Sequence, residues 1–133
     1  MVDLFVHHFA ADSGTPDASG IRIVSVEEAA EKQRISRSIL EALPEWFGIP
    51  EAREQYIKES SAQPFFAAVD AEKASGFLCL KETGKETVEL SVMGVLKDYH
   101  RRGVGRKLFE QAKKVAENSG YSFMQVKTVQ MGR

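Results

Sequence analysis

The chain has 133 residues, 43% hydrophobic and 28% charged, which is the size and composition of one globular domain with a substantial core. Its 18 basic and 19 acidic residues nearly cancel, so the overall charge does not support a nucleic-acid partner. The only cysteine, Cys79, excludes an internal disulfide and a multi-cysteine metal site, and it fits a cytoplasmic protein. The sequence has no apolar run long enough to cross a membrane and no signal-peptide pattern, so we expect no membrane partner.

Residues 1–20 differ in character from the rest and are predicted to be an N-terminal extension or tail. Turn-forming residues from Asp12 to Gly20 indicate a linker or loop. Ahead of them, Val2–Phe9 is typical either of a short strand or of a tail. His7 and His8 would point to opposite faces of such a strand, which is a poor arrangement for a metal site. We therefore expect the domain to span residues 21–133.

The first elements of this domain are a strand and two helices. Alternation from Ile21 to Val26 predicts the strand. Apolar residues at helical spacing then predict a helix from about Glu27 to Leu43, which Pro44 ends or bends. Pro50 can open a second helix, which we expect over Glu51–Ser60.

Three strands, a helix and a last strand follow. The predicted strands are Pro64–Asp70, Gly76–Glu82 and Glu86–Val95, the helix runs from Val104 to near Asn118–Gly120, and the last strand covers Tyr121–Val129. Tight polar connections favour an antiparallel meander, whereas the closing β-α-β unit requires a parallel pair. The sequence thus predicts an α+β fold of order β-α-α-β-β-β-α-β. Its mixed, mostly antiparallel sheet of about five strands would carry helices on its faces.

The most informative segment is the glycine turn that we define as His100–Arg106, between a predicted strand and a helix. Gly103 and Gly105 allow a tight turn and a close approach to a ligand, and the following helix directs its unpaired N–H groups at that ligand. This arrangement suits a diphosphate. A P-loop signature is missing, and Leu108 occupies the position of the third glycine of a dinucleotide fingerprint.

The strand before this turn carries an irregularity. Val88, Leu90 and Val92 are expected on one face, but Val95 rather than Gly94 carries the next branched side chain. A glycine at such a slip indicates a β-bulge or a close approach of another backbone.

The stretch from Thr87 to about Val129 resembles motif A of the GNAT family of N-acetyltransferases, and the upstream element order extends the resemblance over residues 21–129. The family pattern Gln/Arg-x-x-Gly-x-Gly/Ala here begins with His100. The resemblance implies an acyl-CoA N-acyltransferase-like fold and acetyl-coenzyme A as cofactor. The implied cofactor-binding residues are His100, Arg101, Arg102, Gly103, Val104, Gly105 and Arg106 at the turn. It also implies that the Met93 N–H faces the thioester carbonyl and that Val95 pairs with pantetheine.

The resemblance further implies an acceptor site and a general base. Glu89, fourteen residues before Gly103, is the catalytic candidate, because an amine acceptor must lose a proton before it attacks; a solvent-facing glutamate without a role is the alternative. Trp46 and Phe47 are the substrate-site candidates, with core packing as the alternative for both. The expected acceptor is a primary amine of a small molecule or peptide.

The family continues beyond the last strand with a helix and a hairpin, so the resemblance also implies a chain truncated before that segment, with a last strand open to homodimer formation. The extension Val2–Phe9 is a candidate to cover that strand. A second hypothesis follows, in which the chain is a non-catalytic acyl-CoA-binding or assembly module.

Overall fold

A computed structural model describes residues 20–126. Its elements are strands β1 (Ile21–Ser25), β2 (Phe65–Asp70), β3 (Lys73–Gly84), β4 (Thr87–Val95) and β5 (Phe123–Gln125), and helices α1 (Ala29–Glu41), α2 (Pro50–Ser60) and α3 (Val104–Asn118). A single 3₁₀ turn, Lys97–Tyr99, lies between β4 and α3. The element order predicted from the sequence is confirmed.

The five strands form one sheet in the order β1-β2-β3-β4-β5. Pairing is antiparallel from β1 to β4, and β4 pairs with β5 in parallel. The mixed, mostly antiparallel sheet is therefore as predicted. Strands β1 and β5 lie at opposite edges of the sheet. Gly20, the last residue of the N-terminal extension, leads into β1, which is three strands away from β4.

Helices cover both faces of the sheet. One core contains α3 side chains such as Leu108 and Ala112 packed on Leu78 and Leu90, and the other contains α1 and α2 side chains such as Ile39 packed on the opposite face. Successive residues of a strand point to opposite faces. As a result β3 and β4 are buried on both faces. The helices on the two faces hold β4 in place, and the candidate site lies along this strand.

Element boundaries follow local chemistry. Pro50 occupies the first turn of α2, where its missing N–H costs nothing, and α3 begins and ends next to glycines with positive φ, Gly103 at +76° and Gly120 at +96°. Strand β3 begins at Lys73, earlier than predicted, because the turn before it contains only Ala71 and Glu72.

Strand β5 is shorter than the predicted Tyr121–Val129. It starts at Phe123, because the N–H groups of Ser122 and Phe123 both donate to the Glu86 carbonyl and bring the chain to the sheet only there. Residues 127–129 of the predicted strand lie outside the described residues. So do Val2–Phe9 with His7 and His8.

Candidate functional site

The glycine turn sits at the N-terminus of α3. Gly103 is the residue before the helix and adopts the left-handed conformation, and its carbonyl accepts the first helical hydrogen bond, from the Lys107 N–H at 3.0 Å. No described side chain caps this end of the helix. The first-turn N–H groups, which have no partner within a helix, are therefore directed at the turn, where they suit an anion.

The basic side chains of the turn diverge. The Arg102 guanidinium lies over the Tyr99 ring, 4.8 Å from its centroid, and Arg106 lines a groove between α3 and β1. Arg101 is exposed and has a φ of +63°, a left-handed conformation uncommon outside glycine. Just beyond, the Lys107 ammonium donates to the Ile21 carbonyl at 2.8 Å. The convergent donors at this turn are thus backbone N–H groups.

Tyr99 fastens the turn to the body of the sheet. Its hydroxyl donates to Asp70 Oδ2 at 2.8 Å, which raises the pKa of Tyr99, because the phenol loses its hydrogen bond when it ionises beside a carboxylate. Asp70 ends β2 and Tyr99 comes directly before the glycine turn, so the bond ties the start of that turn to β2. Sequence analysis missed this contact, and the only sequence signal was a tyrosine in an otherwise polar connection.

Strand β4 contains a bulge, but not where the sequence placed it. The register passes from Leu80 opposite Leu90 to Cys79 opposite Val92, so the extra residue is Ser91. The slip predicted at Gly94 is wrong, and so is the shared face of Val88, Leu90 and Val92. Val92 packs with the α1 and α2 core, whereas Met93 packs with the α3 core.

Gly94 instead marks the close approach of a helix. A Cβ at this position would lie 3.1 Å from an Ile39 methyl and 3.3 Å from a Leu43 methyl. The close approach at Gly94 is therefore made by side chains of α1 and of the residues that follow it, and the predicted approach of another backbone is wrong.

The backbone groups of β4 that point away from β3 can be assigned from the ladder. The Leu96 N–H donates to the Ser75 carbonyl at 2.9 Å, and hydrogen-bonded pairs alternate with non-hydrogen-bonded pairs in an antiparallel ladder. Val95, opposite Gly76, is therefore in a non-hydrogen-bonded pair, and so is Met93 two residues earlier. The N–H and C=O groups of both residues point away from β3.

That outer side of β4 is only partly covered. In the described part of the chain the parallel pairing with β5 covers three pairs and stops at Glu89 opposite Gln125. A bulge increases the local twist of a strand, and the bulged Ser91 comes two residues after this last pair. We call Leu90–Val95, which leads to the glycine turn, the open edge, because no strand within residues 20–126 pairs with its outer side.

Glu89 is half-buried and lies opposite Lys81 on β3 and Gln125 on β5. Directly opposite residues on neighbouring strands share a face of the sheet. Lys81 is two residues after Cys79 and four after Phe77, so it lies on the face that packs against α1 and α2. Glu89 therefore faces the same side of the sheet as the connection between α1 and α2.

The connection between α1 and α2, residues 42–49, carries the two aromatic candidates. Phe47 is 4% exposed and makes an edge-to-face contact with Tyr56, so the structure places it in the core. Trp46 is half-buried, and its ring contacts His100 edge-on at 5.6 Å between centroids. Glu45 forms an ion pair with Lys97, which lowers the pKa of the Glu45 carboxyl.

Two grooves flank α3. One of about 220 Å³ lies on the β5 side, where Phe109, Tyr121 and Met124 contribute to its lining, and a larger groove of about 490 Å³ lies on the β1 side. The larger groove is distant from Glu89 and Met93 in the strand order, so its size does not make it the site of chemistry. Within residues 20–126 we find no cluster of metal-binding side chains and no helix able to span a membrane.

Comparison with known proteins adds a family and a fold. The sequence profile of the acetyltransferase (GNAT) family matches residues 32–132. No curated protein matches the sequence. Among solved structures, a GNAT-family acetyltransferase from Streptococcus pneumoniae TIGR4 is similar, with a TM-score of 0.64 and 21% identity over 84% of this chain and 78% of that one.

Two further structures have the same fold. The aminoglycoside acetyltransferase AAC(6')-Iy, in complex with the bisubstrate analogue CoA-S-monomethyl-acetylneamine, has a TM-score of 0.64 and 20% identity over 86% of this chain and 83% of that one. The ribosomal-protein-alanine N-acetyltransferase from Brucella melitensis biovar Abortus 2308 has a TM-score of 0.64 and 15% identity over 84% and 82%.

Proposed function

The chain belongs to the acetyltransferase (GNAT) family, and on that premise we propose that it is an N-acetyltransferase that transfers an acetyl group from acetyl-coenzyme A to a primary amine. One observation carries the proposal: the uncapped N-terminus of α3 lies at the end of an open β4 edge. A diphosphate and a peptide-like arm, joined in one ligand, match these two features in chemistry and in order.

The residues present fit this cofactor. The first-turn N–H groups from Gly103 to Arg106 would hold the diphosphate, with Arg101 and Arg102 adding positive charge nearby. The left-handed Gly103 keeps that position free of a side chain. Along the open edge, the outward N–H of Val95 would pair with the amide groups of the pantetheine arm.

The chain also offers groups for the transfer itself. Bound acetyl-coenzyme A supplies an acetyl thioester that a neutral amine can attack. The outward Met93 N–H would stabilise the negative charge that develops on the carbonyl oxygen. Glu89 would accept the proton of the acceptor amine, directly or through water, which favours attack because the amine is largely protonated at neutral pH.

The acceptor site would lie on the α1 and α2 side of the sheet. Trp46 would form one wall, whereas the burial of Phe47 favours a core role for that residue. Ile49, 67% exposed, adds apolar surface to the same connection. Similar folds act on an aminoglycoside and on a ribosomal protein's alanine, so both a small-molecule amine and a peptide amine suit this architecture. A cytoplasmic location and homodimer formation along β5 stay predictions.

Two measurements test the proposed function. Calorimetric titration of folded protein with coenzyme A should give saturable heat. Release of free thiol from acetyl-coenzyme A should then depend on an added amine, in a panel that includes neamine and a peptide with an N-terminal alanine. Absence of coenzyme A binding would reject the proposal. Tight binding without turnover on any amine would support the alternative of a non-catalytic acyl-CoA-binding or assembly module.

A further inference from the structure

His100 contacts two parts of the site at once. Its Nε2 lies 2.7 Å from the Val95 carbonyl oxygen, and because a carbonyl only accepts, this nitrogen carries the proton and donates it. Its ring also packs edge-on against Trp46, with an interplanar angle of 69°. One half-buried ring therefore joins the end of β4 to the connection between α1 and α2.

A second tether runs parallel to the first. Glu45, next to Trp46, is paired with Lys97, three residues before His100. Both side chains are about half exposed, 50% and 51%, and ion pairs this exposed contribute little in water. The half-buried contact between Trp46 and His100 is less exposed to water than the ion pair, so we infer that the His100 ring is the main link between the two segments.

The position of His100 in the chain gives this connection a use. His100 is the residue before the left-handed Arg101 and three residues before Gly103, so it opens the glycine turn that would receive the diphosphate. Only Arg101 and Arg102 separate His100 from Gly103, so a ligand that restrains the backbone of the turn also restrains His100. The bond to Val95 then holds the ring at a fixed angle, and Trp46 packs against the ring so held.

We propose that His100 is a positioning residue that couples the acceptor wall, Trp46, to the cofactor turn, so that coenzyme A binding fixes the position of Trp46. The inference rests on the proposed function. Edge-to-face ring contacts shift an equilibrium by roughly two- to tenfold. Coupling of that size is enough to make an acceptor bind better to the cofactor-loaded protein than to the free protein.

Trp46 is the only tryptophan of the chain, so its fluorescence reports on this contact directly. The experiment titrates full-length protein with coenzyme A and records Trp46 emission, excited at the red edge of its absorption, where adenine does not absorb. The same samples are titrated by calorimetry. We expect the emission of wild-type protein to change with the midpoint of the calorimetric isotherm.

Two variants separate the two contacts of His100. His100→Gln keeps a donor for the Val95 carbonyl but removes the ring, and it should bind coenzyme A within about tenfold of wild type while losing the Trp46 response. His100→Phe keeps a ring for Trp46 but removes the donor, and it should retain a response that requires more coenzyme A. Circular dichroism establishes that each variant is folded.

Each outcome decides between the two proposals. A Trp46 response of wild-type size in His100→Gln overturns the coupling role, and so does wild-type protein that binds coenzyme A by calorimetry without any Trp46 response. Folded wild-type protein that gives no calorimetric heat rejects the proposed function, and the coupling role falls with it.

Discussion

The two sides of β4 differ sharply. Towards β3, the strand is paired from Thr87 to Val95 with Ser91 alone bulged out; towards β5, the described chain pairs only up to Glu89. Where β4 pairs with β3, both faces of the sheet are covered by a buried core. On the other side of β4, the backbone groups of Met93 and Val95 point outward. The paired side holds the fold together, and on the other side no strand within residues 20–126 pairs with Met93 or Val95.

This division explains why a bulge is tolerated in a central strand. The extra residue, Ser91, is compensated on the β3 side by continued pairing on both flanks, so the ladder loses little. On the outer side, the bulge adds twist to β4 just beyond its last pair with β5 in the described chain. One local irregularity thus coincides with the end of the described β4–β5 pairing, while the residues on both sides of it stay in the two cores.

The largest expected effect is on the paired side. Phe77 is fully buried, and its ring stacks on Phe65 at 5.2 Å between centroids. Phe77→Ala should lower the free energy of unfolding by about 3–5 kcal/mol, from lost transfer energy and the cavity left behind. Urea unfolding measures the change.

The matched control lies on β5. Phe123 is 64% exposed, so Phe123→Ala should change the free energy of unfolding by less than about 0.5 kcal/mol. Equal destabilisation by the two substitutions would show that β5 carries as much of the fold as β3 and would remove the contrast between the two sides.

The next largest effect concerns chemistry on the incompletely paired side. Glu89→Gln keeps the shape of the side chain but cannot accept a proton, so kcat with an active amine should fall roughly 100-fold or more. Coenzyme A affinity should stay within about twofold, as measured by calorimetry. Glu72→Gln, an exposed carboxylate of the β2–β3 turn, serves as the control and should leave kcat unchanged. Normal turnover by Glu89→Gln would remove Glu89 from the reaction.

A pair of glycines tests the cofactor turn. Gly103 and Gly120 flank α3, and both have positive φ. Alanine in a left-handed conformation costs about 1–2 kcal/mol, so Gly103→Ala and Gly120→Ala should lose similar stability in urea unfolding. Only Gly103→Ala should weaken coenzyme A binding, by roughly tenfold or more, because only that strain lies beside the helix N-terminus. Equal affinities for the two variants would place the diphosphate elsewhere.

Local signals allowed most of the fold and the turn to be predicted from the sequence. Pro50, Gly103 and Gly120 mark helix ends through their own backbone preferences, and the apolar stripe of α3 is regular over four turns. The bulge was misplaced because β4 is buried on both faces. Val92 and Met93 are both apolar but belong to opposite cores, so the hydrophobic pattern does not show which residues face which side.

Contacts between distant segments could not be read from the sequence. Asp70 and Tyr99 are 29 residues apart, and Glu45 and Lys97 are 52 apart. Asp70 ends β2, Glu45 lies between α1 and α2, and Lys97 and Tyr99 follow β4, so each pair meets only in the folded chain. No spacing rule within a single segment identifies such partners, although the Tyr99–Asp70 bond ties the residue before the glycine turn to β2.

The smallest expected effect is a change in stability at alkaline pH, and it compares Tyr99, near the glycine turn, with Tyr121, near β5. Hydrogen bonds to carboxylates raise the pKa of Tyr99, beside Asp70 near the glycine turn, and of Tyr121, beside Glu82 just before β5. The native protein therefore holds these phenol protons more tightly than the unfolded chain, in which tyrosine titrates near 10. Their stabilisation is complete below pH 10 and is lost as the pH rises from 10 through the native pKa.

Tyr99→Phe and Tyr121→Phe should each remove part of that alkaline loss, so the melting temperature of either variant should fall less steeply than that of wild type above pH 10. Scanning calorimetry across this range measures the slopes. Only Tyr99→Phe should also weaken coenzyme A binding at neutral pH, because its hydroxyl alone ties the glycine turn to β2. If Tyr121→Phe weakened binding equally, the β5 end would have to be counted as part of the cofactor site.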